Sequence, residues 1–256
     1  MTITATVDSD GIAVVTMHHP PVNSLTVGDT WQIGDEFEKL SHRDDVRCII
    51  LTAEGKGFNA GIDIKEMQSR PGFEFFLSSG AACYSTFEKI YMSLVPTIAA
   101  VNDFCMGLGV GLVGSCDMIV ASEAAEWRLP QAGLGIIPAQ GGTIRLARWV
   151  GKGQAMRAAL GFPLHADEAF RIGLAQWLVP PASLMDKAME VANHIAALPP
   201  LAARLTKESL RSGLEQPLPE AVLGDLYRFA MLEMTEDKAE SHRSWRERRK
   251  PDFKGR

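Results

Sequence analysis

Apolar residues along the chain fall into two rhythms. Residues 12–17 and 48–52 are short runs rich in β-branched or apolar side chains with turn formers around them, the pattern of strands buried on most sides. Residues 97–101 after Pro96, then 118–121 and 175–179, read the same way. Between the first two runs the period lengthens. Thr26 is placed to cap a helix in which Trp31, Ile33, Phe37 and Leu40 form an apolar stripe over a polar face. A second helix is expected over residues 73–92. Alternating strands and helices predict an α/β body, a sheet with helices against it. After Gly151 the pattern turns helical, over 154–160, 166–172, 183–197, 201–213 and 218–240, with 175–179 as the one strand. Leu198-Pro199-Pro200 marks the expected boundary, because proline cannot continue a helix and restricts the residue before it. The expected organisation is a sheet-containing core, 1–198, and a helical unit, 199–256.

Two glycine-bearing elbows interrupt this pattern. AEGKGFNAGIDIKEM, residues 53–67, follows the strand at 48–52, and the helical pattern resumes at about Ile62. The small residues allow close backbone approach, and the start of a helix leaves amide donors unpaired. NDFCMGLGVGLVG follows the strand at 97–101 with glycines at 107, 109, 111 and 114, again opening a helix. Two such turns form an oxyanion hole if the fold brings them together; taken singly, each reads first as an ordinary glycine-rich turn before a helix. The spacing at 107–111 is not GxGxxG and nothing matches GxxxxGK[ST], so neither a dinucleotide site nor a P-loop is supported.

Composition narrows the classes further. The 256 residues are 46% apolar and 22% charged, which excludes disorder and fibrous structure. A formal charge of −5 supplies no global positive field for nucleic acid or an anionic membrane. One local basic patch exists, residues 241–256, which reads either as a solvated tail or as a ligand contact. Cysteines at 48, 83, 105 and 116 show neither CxxC nor zinc spacing, which fits a reducing compartment. MTITATVDSDG at the start lacks the marks of a signal peptide, and no stretch is long and unbroken enough to span a membrane, so a cytoplasmic location is expected. His18 and His19 fall at a strand end and His42, His165, His194 and His242 near helix ends; none completes a Ser/His/Asp pattern.

Taken together, HPPVNSL (19–25), GKGFNAGIDIKEM (55–67), VPTIAAVNDFCMGLGVGLVGSCD (95–117), LPQAGLGIIPAQGGTIRL (129–146), EAFRIGLAQWLV (168–179) and ERRKPDFKG (247–255) resemble the enoyl-CoA hydratase/isomerase superfamily, the crotonases. The resemblance runs along nearly the whole chain. It implies a spiral of ββα units with a helical C-terminal trimerisation region, and a homotrimer or dimer of trimers. It also implies an acyl-CoA substrate, with coenzyme A as part of that substrate and no separate cofactor.

Matching the motifs residue by residue, the resemblance puts the two oxyanion amides on Ile62 and Leu108. It puts CoA contacts on Lys56, Phe58, Ala60, Asp63, Ile64, Lys65 and Phe253, with Arg249 beside them in the terminal segment. Asp63 also reads as a structural aspartate. The two glutamates of the family's hydratases fall on Gly111 and Gln131, and a further acid position falls on Ala139. Glycine has no proton to offer and an amide is no general base near neutral pH. Gln131 and Gln140 remain as polar candidates to orient a water or a substrate hydroxyl, against the plainer reading of glutamines satisfied by backbone. Asp117 reads as a local cap or ion pair, and Glu123 and Glu126 as surface residues. Tyr84, Phe87 and Met92 are candidates for the acyl pocket, although residues at helical spacing more often pack the core. GKGFNAGIDIKEMQ and GLVGSCDMIVASE look like steroid-catabolic members that open a ring by hydrolysis. Three readings stay open: a hydratase or isomerase, a CoA-ester ring hydrolase, and a catalytically silent acyl-CoA binder.

Overall fold

The structure is a computed structural model and describes residues 2–70 and 72–256. Its elements run β1 (Thr2–Val7), β2 (Ile12–His18), α1 (Val27–Ser41), β3 (Cys48–Ala53), α2 (Ile64–Ser69), α3 (Phe73–Tyr91), β4 (Thr97–Val101), β5 (Phe104–Met106), α4 (Leu108–Gly114), β6 (Met118–Ser122) and β7 (Glu126–Arg128). After a 3-10 turn at Pro130–Leu134 come α5 (Gly142–Ala159), β8 (Leu164–His165), α6 (Ala166–Arg171), β9 (Trp177–Val179), α7 (Leu184–Ala196), α8 (Pro200–Gly213), α9 (Leu218–Glu233) and α10 (Glu236–Glu247).

Six strands form one sheet in the order β1-β2-β3-β4-β6-β9, with β1–β2 antiparallel and the other pairs parallel. Successive side chains of a strand point to opposite faces, and both faces here are covered. Cys48 and Ile50 of β3, with Ile98 and Ala100 of β4, pack on Leu184, Ala188, Ala192 and Ile195 of α7. Ile49 and Leu51, with Ala99 and Val101, face the larger core with Ile33, Phe37 and Leu40 of α1 and Phe87 and Ile90 of α3. Predominantly apolar strands go with this two-sided burial. A second sheet, β5-β7-β8, sits over the elbows.

Several sequence expectations are corrected. The helix expected from Ile62 starts at Ile64, because Asp63 caps it by accepting the Glu66 N–H at 2.7 Å. Trp31 is not on the buried stripe of α1; it is exposed while Ile33, Phe37 and Leu40 are buried. The helix at 154–160 is the end of α5, which bends at Gly151 (φ +76°). The helix at 218–240 is two, because Thr235 takes an extended conformation and caps α10 through the Lys238 N–H. The strand at 175–179 shortens to β9. Strands β1, β5, β7 and β8 escaped the sequence pattern; β5, β7 and β8 hold only two or three residues each. No described helix is long and apolar enough to cross a membrane.

Candidate active site

The chain leaves β3 as a loop held on both sides. Phe58 N–H donates to the Phe104 carbonyl at 2.9 Å, Ala60 N–H to the Val22 carbonyl at 3.1 Å, and Met106 N–H to the Asn59 carbonyl at 2.8 Å. Gly61 stands at φ +97°, a conformation that strains a side chain. Its carbonyl accepts the Leu25 N–H at 2.9 Å. A trans peptide points its N–H opposite to its carbonyl, so the Ile62 N–H turns away from Leu25.

The second elbow meets the first. Gly107 (φ +53°) donates its N–H to the Arg128 carbonyl at 2.9 Å, and α4 begins at Leu108. A Cβ built on Gly61 would lie 3.5 Å from the Met106 carbonyl oxygen and 3.9 Å from the Leu108 nitrogen; one built on Gly107 would lie 3.9 Å from the Gly61 Cα. The two turns therefore back onto each other. Among the described residues neither the Ile62 N–H nor the Leu108 N–H donates a hydrogen bond within the protein, although Leu108 is buried. Two unspent donors beside one another are suited to an oxygen on which negative charge builds.

Two side chains define what surrounds them. Gln131 comes to the elbows: its side-chain nitrogen lies 3.3 Å from where a Gly107 Cβ would be, and its Oε1 is buried with no hydrogen-bond partner among the described residues. Phe87 of α3 lies over α4, its ring 2.4 Å from where a Gly111 Cβ would be, so an aromatic edge fills the space above that glycine. Gln140 lies instead against the middle of α3, its Nε2 3.3 Å from a Gly80 Cβ position. Phe73, Phe76, Leu77 and Tyr84, one and two turns from Gly80, are exposed, which leaves α3 an open apolar strip. Met92 caps the far end of α3 and is exposed.

The other expected contacts divide. Lys56, Lys65 and Ile64 are exposed along the first elbow and α2, and Ala60 is half-buried between them. Phe58 is fully buried in the larger core, so only its backbone faces the loop. Asp63 is engaged as the cap of α2 and accepts the Ser24 hydroxyl at 3.4 Å. Phe253 is half-buried in the tail, and Arg249 is bound to Glu240. Among the described residues no hydrogen bond or ion pair joins Arg249 to the elbows.

The titratable groups are committed elsewhere. Asp117 accepts from the Thr97 N–H at 2.7 Å and pairs with Lys207 at 2.7 Å. Glu123 is exposed, while half-buried Glu126 pairs with Arg128 and His165. Burial pushes the Cys83 thiol on α3 up to about 12 and Cys105 well above its ordinary value, so both stay protonated at neutral pH. Among the described residues no three His, Cys, Asp or Glu side chains are placed to hold a metal ion.

Sequence reasoning missed Asn23 and Asn59. Buried Asn23 donates to the Glu54 and Gly57 carbonyls at 2.8 and 2.9 Å and shapes the first elbow from below. Buried Asn59 accepts the Gly61 N–H at 2.9 Å and donates to the Asn23 carbonyl. The signal was present: Asn two residues before a glycine is an Asx-turn pattern.

A largely parallel sheet covered on both faces and leading into paired elbows is the architecture of the crotonase fold. The family model for enoyl-CoA hydratase/isomerase matches residues 8–256, and the chain belongs to that family. A crystal structure of enoyl-CoA hydratase from Bacillus anthracis superposes with a TM-score of 0.96 at 30% identity, covering 100% of both chains. The short-chain-enoyl-CoA hydratase of Clostridium acetobutylicum is 36% identical over 252 residues, 96% of this chain and 95% of that one. The (7aS)-7a-methyl-1,5-dioxo-2,3,5,6,7,7a-hexahydro-1H-indene-carboxyl-CoA hydrolase of Rhodococcus jostii is 38% identical over 213 residues, 82% of this chain and 81% of that one.

Proposed function

We propose that this chain binds an acyl-CoA thioester with its carbonyl oxygen between the Ile62 and Leu108 amides, and that these donors stabilise the enolate formed there. The observation that carries the reading is the pair of unspent N–H groups on two elbows whose glycines touch. Losing one such donor typically raises a barrier by ~3 kcal/mol. In this reading exposed Lys56 and Lys65 meet the phosphates of coenzyme A, and the backbone from Phe58 through Ala60, with Asp63 and Ile64, flanks its pantetheine arm. Phe253 serves the ligand of a neighbouring subunit, in a tail that Arg249 holds through Glu240. The exposed apolar residues of α9, among them Leu223, Leu226 and Phe229, support assembly through 199–256 into a trimer or a dimer of trimers. Sedimentation at the mass of a monomer would remove that part.

Two-carboxylate hydration is not favoured, because Gly111 and Gln131 stand at the two positions where it needs acids. The unpaired Gln131 oxygen is an acceptor for the proton of a water or a substrate hydroxyl. A second reading follows from Phe87 over Gly111, the apolar strip of α3 and the likeness to the Rhodococcus jostii hydrolase. It is the hydrolytic opening of a ring in a bulky CoA ester whose ring ketone lies β to the thioester. Water adds to the ketone and the ring C–C bond breaks. Its electron pair passes to the carbon α to the thioester and is held as the enolate oxygen between the two amides. That carbon then takes a proton from solvent, and the former ketone, still joined through the opened ring, becomes a carboxylate as the protons of the added water pass to solvent.

Calorimetric titration with acyl-CoAs, paired with turnover assays on enoyl, 3-enoyl and cyclic keto-acyl thioesters, tests both readings. Binding with ring opening and no hydration of crotonyl-CoA selects the hydrolase. Hydration of crotonyl-CoA selects the hydratase. Binding without turnover across the panel leaves a silent acyl-CoA carrier, and absence of binding to every thioester overturns the proposal.

A further inference from the structure

We infer that Asn59 is a positioning residue that orients the Ile62 amide and sets its spacing from Leu108; the inference rests on the oxyanion reading above. Asn59 is fully buried and is held by both its backbone and its side chain. Its N–H donates to the Phe104 carbonyl at 3.2 Å and its carbonyl accepts the Met106 N–H at 2.8 Å, which ties the first elbow to the strand that leads into the second. Its Oδ1 accepts the Gly61 N–H at 2.9 Å. That bond fixes the peptide entering Gly61, while Leu25 holds the carbonyl leaving it, so the Ile62 N–H is left one direction to point.

The same side chain touches the second elbow. A Cβ on Gly109, in the first turn of α4, would lie 2.8 Å from the Asn59 Cβ and 2.9 Å from its Oδ1. The absence of a side chain at 109 lets Asn59 rest directly on the backbone just beyond Leu108. Its Nδ2 donates to the Asn23 carbonyl, and Asn23 in turn holds the loop at Glu54 and Gly57 and accepts the His19 N–H at 2.6 Å. One buried amide thus spans both donor-bearing turns and is itself braced from below. Orientation at this scale matters because a misplacement of about 1 Å can cost about 100-fold in rate.

The test uses cinnamoyl-CoA, whose conjugated thioester absorbs at longer wavelength as its carbonyl oxygen is polarised. Bound to the wild-type protein it should shift to the red, and Asn59→Ala, saturated with the same ligand, should lose at least half of that shift. Asn59→Ser keeps an oxygen that can accept from Gly61 but does not span to Asn23; it should show an intermediate shift. A role confined to stability would lower the melting temperature and leave the shift per bound ligand unchanged. A wild-type shift in folded Asn59→Ala, or in Asn59→Ser where the alanine variant does not fold, overturns the inference. No shift in the wild-type protein with cinnamoyl-CoA bound would instead overturn the oxyanion reading, whatever the variants do.

Discussion

The paired elbows and the C-terminal tail are both held by polar contacts, but of opposite kinds. Around Gly61 and Gly107, where the elbows meet, the contacts are made by neutral groups: carbonyls, backbone amides and the side-chain amides of Asn23 and Asn59. The tail is held by charge. Glu240, almost fully buried, accepts from Arg243, Arg249 and the Asp252 N–H, and Asp237 accepts the Lys254 and Gly255 N–H groups at 2.6 and 2.8 Å. Arg249, Arg243 and the Asp252 amide hold the Glu240 carboxyl well below the usual carboxylate range. A fixed joint is served by charges that cancel permanently. A site that receives charge only during a reaction is better served by dipoles that stay unspent until then.

Four experiments would break or sharpen this contrast. The largest effect is expected from Gly61→Ala, which strains a φ of +97° and puts a methyl 3.9 Å from the Leu108 nitrogen. Turnover of the acyl-CoA substrate should fall about 1,000-fold, the upper end for loss of one oxyanion donor; an unchanged kcat/KM would show that the elbows are not the reacting site. Lys207→Met comes next. It strips the partner from Asp117 at the end of the segment that follows α4, where Lys207 is 5% exposed. A loss of about 3 kcal/mol is expected, at the low end for a broken buried pair because Asp117 keeps some solvent. Thermal and urea unfolding read it, and a neutral result would show that α8 is not anchored there.

Gly111→Glu should cost about 1–3 kcal/mol by overpacking against Phe87. Adding Phe87→Ala should restore the melting temperature. Gly111→Glu with Gln131→Glu should gain crotonyl-CoA hydration only once Phe87 is trimmed; activity without trimming would show that the ring gives way freely. The smallest effect belongs to the tail. The folded pKa of Glu240 is depressed from its ordinary 4.5, so its stabilisation is complete above about that value and is lost as pH falls below it. The Arg249 Nη–H resonances, which donate to Glu240, should broaden only as the pH falls well below 4.5, and Glu240→Gln should reproduce that broadening at neutral pH. Resonances that stay sharp in Glu240→Gln would mean that the tail is held by something else.

Much of the sheet was legible because its strands are buried on both faces and carry unbroken apolar runs, as in residues 48–51 of β3 and 98–101 of β4. The short strands Phe104–Met106 and Glu126–Arg128 were not, since three residues show no period and form only because β7 pairs with β5. The break between α9 and α10 had a local mark, a threonine followed by two acids at Thr235, hidden by the continuous helix-forming composition around it. Of the candidate site, the two glycine-bearing elbows were visible in the residues themselves, and the lack of acids at 111 and 131 could be marked only through the family resemblance. Phe87 over Gly111 could be read from neither, because the contact joins two helices whose separation is set by packing.

The residues alone determined which positions can expose backbone donors and which cannot supply a proton, because both follow from residue type: glycine permits the turn, and glycine and glutamine lack an acid. Folding alone decided that Gly61 and Gly107 touch, that Asn59 braces both turns, and that Gln131 brings an unpaired oxygen beside them. Distances between segments far apart in the chain come from the close packing of the core, and no local pattern encodes them.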